Sequence, residues 1–266
     1  MASIFGTAEN NTLTGTSGDD LAIAEAGNDV VLGLEGNDLI FANTGADVVI
    51  GNAGGDVIFG GKDDDSIDGG GDNDLLFGDL GNDTVAGGLG EDTIVGGSLL
   101  GSAIPQADRD RLLGDLGNDR IFGNVGADTI DGGAGNDLLY GGKEGDLLLG
   151  GTGDDRLNGQ LGADTLTGGG GRDAFVLDPT TGGATLADAD VITDFTQGDD
   201  RLELDGGLTF DGLTLTVQDG NTVIQDAQTG EFLAVVLGVT DLEGTEPTPE
   251  PIPDPISEPM PEPIPD

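Results

Sequence analysis

Residues 25–41 read EAGNDVVLGLEGNDLIF, and the pattern in this stretch decides how the rest of the chain is interpreted. The triplet G-N-D occurs twice, nine residues apart, and three apolar residues follow each copy. From Gly6 to Val176 the chain divides into nineteen units of nine residues, and the frame is never lost. An internal repeat this regular predicts a fold that is built by stacking small, similar units.

Four of the nine positions in the unit are nearly fixed. Position one is Gly in sixteen units, position four is Gly in thirteen, position six is Asp in seventeen, and position eight is apolar in all nineteen. Glycines this dense exclude a helix, because each costs roughly 1 kcal/mol in a helix interior. The unit is typical of six turn residues followed by three strand residues, with position eight facing a core. Two units make one coil of a solenoid, and stacked coils give two facing parallel sheets.

The composition excludes several classes of function. The chain carries 52 acidic and 8 basic residues, a formal charge of −44, which disfavours binding to nucleic acid or to anionic membrane surfaces. It has no Cys and no His, which excludes disulfides, histidine-based triads and zinc sites of the usual kind. No apolar run approaches the roughly 18 residues of a membrane span. We find no catalytic constellation and expect that the protein is not an enzyme.

The repeated aspartates are the candidate site residues. Aspartates of the same kind in successive coils should lie about 5 Å apart, where they repel each other unless a cation lies between them. Only carboxylate and turn carbonyl oxygens are at hand, a donor set that favours calcium over magnesium or zinc. We expect the following metal ligands: Asp20, Asp29, Asp38, Asp47, Asp56, Asp65, Asp74, Asp83, Asp92, Asp110, Asp119, Asp128, Asp137, Asp146, Asp155, Asp164 and Asp173.

The eighteen-residue coil sorts these aspartates into two predicted columns. One column contains Asp20, Asp38, Asp56, Asp74, Asp92, Asp110, Asp128, Asp146 and Asp164. The other contains Asn11, Asp29, Asp47, Asp65, Asp83, Gly101, Asp119, Asp137, Asp155 and Asp173. Counting the gaps with an Asp on both sides predicts about 14 sites of the calcium type.

The repeat resembles the RTX, or hemolysin-type, calcium-binding nonapeptide G-G-x-G-x-D-x-U-x. The clearest copies are GGAGNDLLY (residues 132–140), GGTGDDRLN (residues 150–158) and GGLGEDTIV (residues 87–95). The resemblance implies an all-β fold, a parallel β-roll, with calcium held between coils by position-six carboxylates and glycine-turn carbonyls. It also implies calcium-driven folding and type I secretion. The start of the sequence lacks the features of a cleaved signal peptide, so we expect an extracellular or cell-surface protein exported without one.

One stretch departs from the repeat. In GGSLLGSAIPQADRD (residues 96–110), Leu99 and Gly101 stand where Gly and Asp belong, and Pro105 replaces a position-one Gly. We expect a protruding loop here. We also expect the column containing Gly101 to lose its metal pair, while the other column continues from Asp92 through Asp110.

The period stops after Val176, and three regions are predicted: the β-roll over residues 1–176, a capping segment over 177–244 and a disordered proline-rich acidic tail over 245–266. Residues 188–206 resemble the segment that closes RTX rolls. LTLTVQDGNTVIQD (residues 213–226) predicts a β-hairpin, and FLAVVLGV (residues 232–239) predicts another strand. Since the last coil of a solenoid has an open edge, we expect an antiparallel β cap.

Three functions remain open at this point. The first is a secreted structural or surface module that binds calcium without catalysis. The second is the non-catalytic repeat portion of a secreted enzyme or toxin, and the third is a calcium-dependent module for surface polysaccharide or adhesion. An apolar outer face that includes Phe41, Phe59 and Phe77 suggests self-association or protein docking.

Overall fold

The structure is a computed structural model that describes residues 2–97, 108–180 and 182–242. Leu99, Gly101 and Pro105 of the predicted loop, and the predicted proline-rich tail, lie outside the described residues. The described chain is all-β apart from two short 3₁₀ helices, Leu186–Asp188 and Phe210–Gly212. The predicted solenoid is confirmed, because strands of consecutive coils pair in parallel to form two long sheets.

The first sheet has eleven strands in the described chain. In spatial order they are β1 (Ser3–Thr7), β3 (Leu21–Glu25), β5 (Leu39–Thr44), β7 (Val57–Lys62), β9 (Leu75–Leu80), β11 (Thr93–Gly97), β13 (Arg120–Val125), β15 (Leu138–Lys143), β17 (Arg156–Leu161), β19 (Ala174–Leu177) and β21 (Arg201–Leu204). Every neighbouring pair in this sheet is parallel.

The second sheet has thirteen strands in the described chain. In spatial order they are β2 (Thr12–Thr14), β4 (Val30–Glu35), β6 (Val48–Ala53), β8 (Ser66–Gly71), β10 (Thr84–Leu89), β12 (Arg111–Leu116), β14 (Thr129–Ala134), β16 (Leu147–Thr152), β18 (Thr165–Gly170), β20 (Asp190–Ile192), β24 (Phe232–Val236), β23 (Asn221–Asp226) and β22 (Leu213–Gln218). The two sheets face each other across a single layer of side chains.

Position eight of each unit forms this core, as the pattern predicts. Val31 and Ile40 point inward from opposite sheets, and both are almost completely buried. The strands are longer than the predicted three residues, because pairing resumes beyond position one, as between Leu34 and Asn52. Position one is therefore a second inward-facing position, and Ala24, one of its few non-glycine members, is fully buried.

The turns use left-handed backbone at positions two and four. Gly27 and Gly36, both at position four, have a φ of 114°, a conformation that glycine adopts without a steric penalty. Asp63 and Glu144 stand at the same position with φ values of 74° and 78°. Non-glycine residues therefore keep the shape of the turn here at some cost in strain.

The registers contradict the predicted order of coils around residues 98–107. Thr93 of β11 pairs with Arg120 of β13, and Thr84 of β10 pairs with Arg111 of β12. Both spacings are 27 residues, nine more than in a regular coil. The connection from β11 to β12 is thus nine residues longer than in a regular coil, and every later unit joins the sheet opposite to the predicted one.

The segment after the repeats both continues and closes the roll. Strands β20 and β21 add one more parallel coil, pairing with β18 and β19. The predicted hairpin is confirmed, with β22 and β23 antiparallel around Asp219 and Gly220, and β23 also pairs antiparallel with β24. Antiparallel strands thus cover the end of the second sheet.

Aromatic rings form a row on the outside of the first sheet. The rings of Phe41, Phe59 and Phe77 stack in nearly parallel planes, with centroids 5.0 and 4.7 Å apart. Phe41 and Phe59 are half-buried and Phe77 is buried, because each ring covers the face of the next. In the described residues we find no helix that has both the length and the apolar character to cross a membrane.

Candidate metal centres

A hydrogen-bonded ladder of aspartates runs along each side of the roll. In every regular coil the backbone N–H of a position-six Asp donates to Oδ1 of the equivalent Asp in the next coil. Examples are Asp38 to Asp56 at 2.7 Å and Asp47 to Asp65 at 2.8 Å. All seventeen predicted ligands lie on these ladders, and none is more than 4 % exposed.

The order of the rungs differs from the predicted columns beyond Asp92. The first ladder contains Asp20, Asp38, Asp56, Asp74, Asp92, Asp119, Asp137, Asp155, Asp173 and Asp200. The second ladder contains Asn11, Asp29, Asp47, Asp65, Asp83, Asp110, Asp128, Asp146, Asp164 and Asp190. The predicted Asp92–Asp110 rung is wrong, and so is the predicted break at Gly101, because the extra nonapeptide exchanges the two sets.

The second oxygen of most rungs is buried without a partner. Among the described residues, sixteen ladder aspartates have an Oδ2 atom that is shielded from solvent and accepts no hydrogen bond. They are Asp29, Asp38, Asp47, Asp56, Asp65, Asp74, Asp83, Asp92, Asp110, Asp119, Asp128, Asp137, Asp146, Asp155, Asp164 and Asp190. An unpaired buried carboxylate oxygen strongly destabilises a fold, so each of these atoms requires a positive ligand or a proton.

Position-one glycines leave room beside these oxygens. A Cβ placed on Gly60 would lie 2.6 Å from Oδ2 of Asp65 and 2.8 Å from the carbonyl oxygen of Gly78. The same arrangement recurs at Gly132, beside Asp137 and the carbonyl of Gly150. The sequence suggests that position one is Gly because it lies in a turn. The structure gives a different reason: a carboxylate oxygen and a carbonyl oxygen converge there and leave no space for a Cβ atom.

Burial raises the pKa of the ladder carboxyls. Burial, followed by the charges of neighbouring aspartates, raises the pKa of Asp65 and of Asp146 to about 8. Burial likewise raises the pKa of Asp47 to about 6. At the N-terminal end of the first ladder the pKa shift has the opposite sign. The hydrogen bond from the N–H of Ala2, and to a smaller extent those from Thr16, lower the pKa of Asp20. The interior of each ladder thus disfavours uncompensated negative charge.

The donor set fits a hard cation. Among the described residues, no three Asp, Glu, His or Cys side chains are grouped so as to hold a metal ion. Each gap between rungs instead offers two carboxylates and nearby glycine carbonyls. Calcium takes six to eight oxygen ligands in flexible geometry, whereas magnesium demands a tighter octahedron. Oxygen donors from two carboxylates and several carbonyls therefore suit calcium, with the predicted aspartates as the charged ligands.

Threonines close both ends of the first ladder. Oδ2 of Asp20 accepts hydrogen bonds from the N–H of Thr16 at 2.6 Å and from its hydroxyl at 2.8 Å. Oδ2 of Asp200 accepts one from the N–H of Thr196 at 2.7 Å. In both cases the threonine lies four residues before the aspartate, and the protein itself supplies the donor that an interior rung lacks.

The second ladder is closed at one end only. At its start, Oδ1 of Asn11 accepts a hydrogen bond of 2.5 Å from the N–H of Thr7, again four residues earlier. At its other end, Oδ2 of Asp190 is buried without a partner.

Asp190 and Asp200 are ladder residues that lie beyond the nineteen nonapeptide units, and Asp190 also falls outside their nine-residue frame. They stand 26 and 27 residues after Asp164 and Asp173, and their neighbours Asp-Val-Ile and Asp-Arg-Leu repeat the D-x-U part of the motif. That short signature is the signal that could have identified them.

A separate row of hydrogen-bonded polar side chains lies outside both aspartate ladders, at position five of the unit. Oδ1 of Asn28 accepts a hydrogen bond of 3.3 Å from the backbone N–H of Ala46. Oδ1 of Asp64 accepts one of 2.9 Å from the backbone N–H of Asn82. Asn118 and Asn136 continue this arrangement at 2.7 Å. Residues that recur only intermittently in the sequence therefore join successive turns, and they present no metal-binding geometry of their own.

The comparisons with known proteins agree with this geometry. The family described as the RTX calcium-binding nonapeptide repeat matches residues 5–40, 41–76, 68–98, 106–139 and 140–175. A search of curated proteins found no match to the chain. The matched segments cover more than half of the sequence and coincide with the coils that bear the aspartate ladders. The chain belongs to the RTX calcium-binding repeat family.

Proposed function

We propose that this chain is a non-catalytic module whose β-roll assembles on calcium ions bound between successive rungs of the two ladders. The observation that carries the proposal is the set of sixteen buried Oδ2 atoms without a hydrogen-bond partner. Since neighbouring rungs repel each other, a divalent ion between them converts a destabilising contact into a stabilising one. The repeat family, which is described as calcium-binding, supports the choice of ion.

The observed registers give the number of gaps that could each hold one ion. Within the repeats the first ladder has eight gaps flanked by aspartates on both sides, and the second has seven. The ceiling is therefore about fifteen ions, one more than the predicted columns give. Fifteen divalent ions would offset about two thirds of the formal charge of −44, which opposes compaction by self-repulsion.

Folding and metal binding should be a single event. Without calcium, the carboxylate repulsion and the backbone entropy of a glycine-rich chain oppose folding, so the binding free energy becomes folding free energy. Circular dichroism should change from coil to β on addition of millimolar calcium and return with chelator. Magnesium at the same concentration is the matched control and should have a much smaller effect. A spectrum that is already β-rich in excess chelator would overturn the proposal.

The proposed setting is extracellular, reached by type I export. RTX repeat proteins are typically secreted, and extracellular calcium modules have dissociation constants of about 10⁻⁴–10⁻³ M. Such weak sites keep the chain unfolded at the low calcium level of the cytosol and fold it outside. Fractionation of an expressing culture tests this: the protein should be found in the medium. The alternative, a repeat portion of a longer secreted enzyme or toxin, is tested by sequencing the full reading frame.

Docking through the aromatic row is a separate proposal. Replacing Phe41, Phe59 and Phe77 with Ser should reduce self-association more than calcium affinity, with light scattering of the calcium-loaded protein as the measurement. A monomer before and after the substitutions would exclude the idea. Sugar recognition receives less support, because the stacked rings cover each other's faces, and those faces are what a sugar ring would contact.

A further inference from the structure

We propose that strand β22 (Leu213–Gln218) pairs with β22 of a second copy of this chain, antiparallel and about a two-fold axis at Leu215. In spatial order β22 is the last strand of the second sheet, and β23 is its one hydrogen-bonded neighbour among the described residues. Pairing would join the second sheets of two copies into one continuous sheet. This surface is separate from the aromatic row on the first sheet, and the inference does not depend on how many ions the ladders hold.

Strand β22 lacks the features that usually protect the edge of a sheet. Natural edge strands avoid pairing by being very short, by carrying charged side chains or by containing proline. Among the other three sheet edges of the described chain, β2 has three residues, β21 contains Arg201 and Glu203, and β1 contains Gly6, which weakens a strand. The sequence of β22, LTLTVQ, has six residues without a charge, a proline or a glycine. This edge is therefore an open template for another strand.

The side chains on one face of β22 continue the core past the edge of the sheet. Leu215 pairs with Ile224 of β23, which is completely buried in the core. Leu213, two residues earlier, packs against the core, whereas Leu215 is 46 % exposed and Val217 is 59 % exposed. Residues two apart in a strand share a face, so an added strand would cover both exposed side chains. These two residues therefore favour a partner strand that is itself apolar at alternate positions.

The hairpin turn determines which backbone groups of β22 face its free edge. Asp219 and Gly220 both have positive φ, 53° and 84°, as in the two-residue type I′ turn. The residues that flank such a turn, Gln218 and Asn221, form a hydrogen-bonded pair, and hydrogen-bonded pairs then alternate along the two strands. The even-numbered residues of β22 thus bond to β23, and the N–H and C=O groups of its odd-numbered residues point to the free edge.

These free groups fit a second β22 in the register that is centred on Leu215. About a two-fold axis Leu215 lies opposite its own copy and Leu213 lies opposite Val217, so the facing side chains on the core side are all apolar. The N–H of Leu213 already donates to the carbonyl of Phe210, which leaves about four inter-chain hydrogen bonds in this register. Because the strand is complementary to itself, the contact is symmetric and closes as a dimer.

The charges that flank β22 limit the strength of the dimer. In the same register Asp211 of each copy approaches Asp219 of the other, and both residues are exposed. Salt screens the repulsion between exposed charges, so the fraction of dimer should rise as sodium chloride increases from about 0.05 to about 0.5 M at saturating calcium. Association that weakens over this range contradicts the register.

A single-cysteine variant tests the register, because the chain has no Cys of its own. At the two-fold axis the Cα atoms of the two facing residues would be about 5.5 Å apart, a distance that permits a disulfide. Oxidation of calcium-loaded Leu215→Cys should therefore yield a covalent dimer. In the matched variant Val217→Cys the two cysteines lie about 13 Å apart along the strands, so it should yield at least about tenfold less dimer. Equal yields for the two variants, or no dimer for Leu215→Cys, overturn the proposal.

Sedimentation equilibrium of the calcium-loaded chain measures the association without a covalent link. The unsubstituted chain should dimerise, and Leu215→Lys should lower the dimer fraction because two ammonium groups would meet at the axis. Leu116→Lys, at a position of the roll that is 52 % exposed, is the matched control and should keep the dimer. Circular dichroism in calcium checks that each variant folds. A monomeric unsubstituted chain overturns the inference, and so does a dimer that Ser at Phe41, Phe59 and Phe77 dissociates but Leu215→Lys does not.

Discussion

The backbone N–H of Asp92 donates a hydrogen bond of 2.8 Å to Oδ1 of Asp119, although 27 residues separate them. This bond has the same length and geometry as the rung between Asp74 and Asp92, where the spacing is 18 residues. The ladder thus passes the extra nonapeptide without a missing rung. The departure from the repeat at residues 98–107 lengthens one coil and leaves the candidate metal sites intact on both sides of it.

Deleting residues 99–107 should leave a folded protein. The deletion joins Ser98 to Asp108 and produces the turn G-G-S-D-R-D, which fits positions one to six with an Asp at position four, as at Asp63. Because shortening a loop changes its closure entropy by less than about 1 kcal/mol, the calcium midpoint of folding should shift by less than about fivefold.

The control for this deletion removes residues 51–59, one nonapeptide from a regular coil. That change removes Asp56 and one strand but keeps the nine-residue frame, so the later strands exchange sheets and the chain should still fold on calcium, with about one site fewer. Calcium titrations followed by circular dichroism, together with calcium counts from native mass spectrometry, compare the two deletions. If the 99–107 deletion fails to fold or loses a site, the 27-residue register is wrong.

Asp65→Asn should weaken the response to calcium, and Asp64→Asn should not. Asp65 is buried at position six with an unpaired Oδ2 and borders two gaps, whereas Asp64 is exposed at position five and accepts a hydrogen bond from Asn82 that an amide can also accept. We expect the calcium midpoint to rise at least tenfold for Asp65→Asn, about 1.4 kcal/mol, and less than twofold for Asp64→Asn.

In excess chelator, Asp65→Asn should have the opposite effect and favour folding. Removing a buried charge that its neighbours repel lowers the cost of compaction, so the variant should retain more β structure than the unsubstituted chain. Equal calcium midpoints for the two variants would show that position six has no special role.

Gly60→Ala should impair the same site by occupying it. The added methyl group would lie 2.6 Å from Oδ2 of Asp65 and 2.8 Å from the carbonyl of Gly78, which forces these oxygens apart. The natural exception Ala42 supplies the reverse substitution, and Ala42→Gly should leave the calcium midpoint unchanged or lower it. Isothermal titration calorimetry should show fewer sites, or weaker ones, for Gly60→Ala alone. No difference would mean that position one is glycine for another reason.

Lowering the pH should stabilise the folded state in part, as calcium does, because protons also neutralise the buried ladder carboxyls. The raised pKa values of ladder carboxyls, about 6 for Asp47 and about 8 for Asp65 and Asp146, exceed the value of about 3.9 for an unfolded Asp. The folded state therefore binds more protons between these pH values, and its stability falls as pH rises through about 6 to 8. The exposed carboxyls with lowered pKa, such as Asp64 and Asp188, oppose this trend but are fewer.

Circular dichroism in chelator at pH 4.5, 6 and 8 measures this dependence. The β content should be highest at pH 4.5 and lowest at pH 8, and the calcium affinity should rise over the same interval because protons and calcium compete for the same oxygens. Light scattering is the necessary control, since the isoelectric point is about 4.1. A β content in chelator that increases with pH contradicts the assignment of buried ladder carboxyls.

Much of the fold follows from the unit itself. An aliphatic residue at one phase of a nine-residue period places Val31 and Ile40 in the core, and the glycines at Gly27 and Gly36 permit the left-handed turns. The set of aspartates that form the ladders follows as well, because the aspartates that repeat in sequence are those that the ladders bury.

The pairing of the ladders could not be predicted, for a reason specific to this sequence. The insertion has nine residues, which is one full unit, so the nine-residue frame of the sequence continues unchanged from Asp92 to Asp119. The coil between these two aspartates nevertheless has 27 residues where a regular coil has 18. The pairings of β11 with β13 and of β10 with β12 reveal it. The place of Asp190 in the second ladder was similarly hidden, because Asp190 lies 26 residues after Asp164 and falls outside any multiple of nine.

The extra nonapeptide also determines which outer surface each later side chain reaches. With a regular coil, Phe122 and Tyr140 would lie on the second sheet. The observed register instead places them on the first, where their rings stack 5.1 Å apart and Phe122 follows Val95 in the row that begins with Phe41, Phe59 and Phe77. The nine extra residues thus place both groups of stacked rings on the first sheet, which leaves the described roll with two chemically different outer faces.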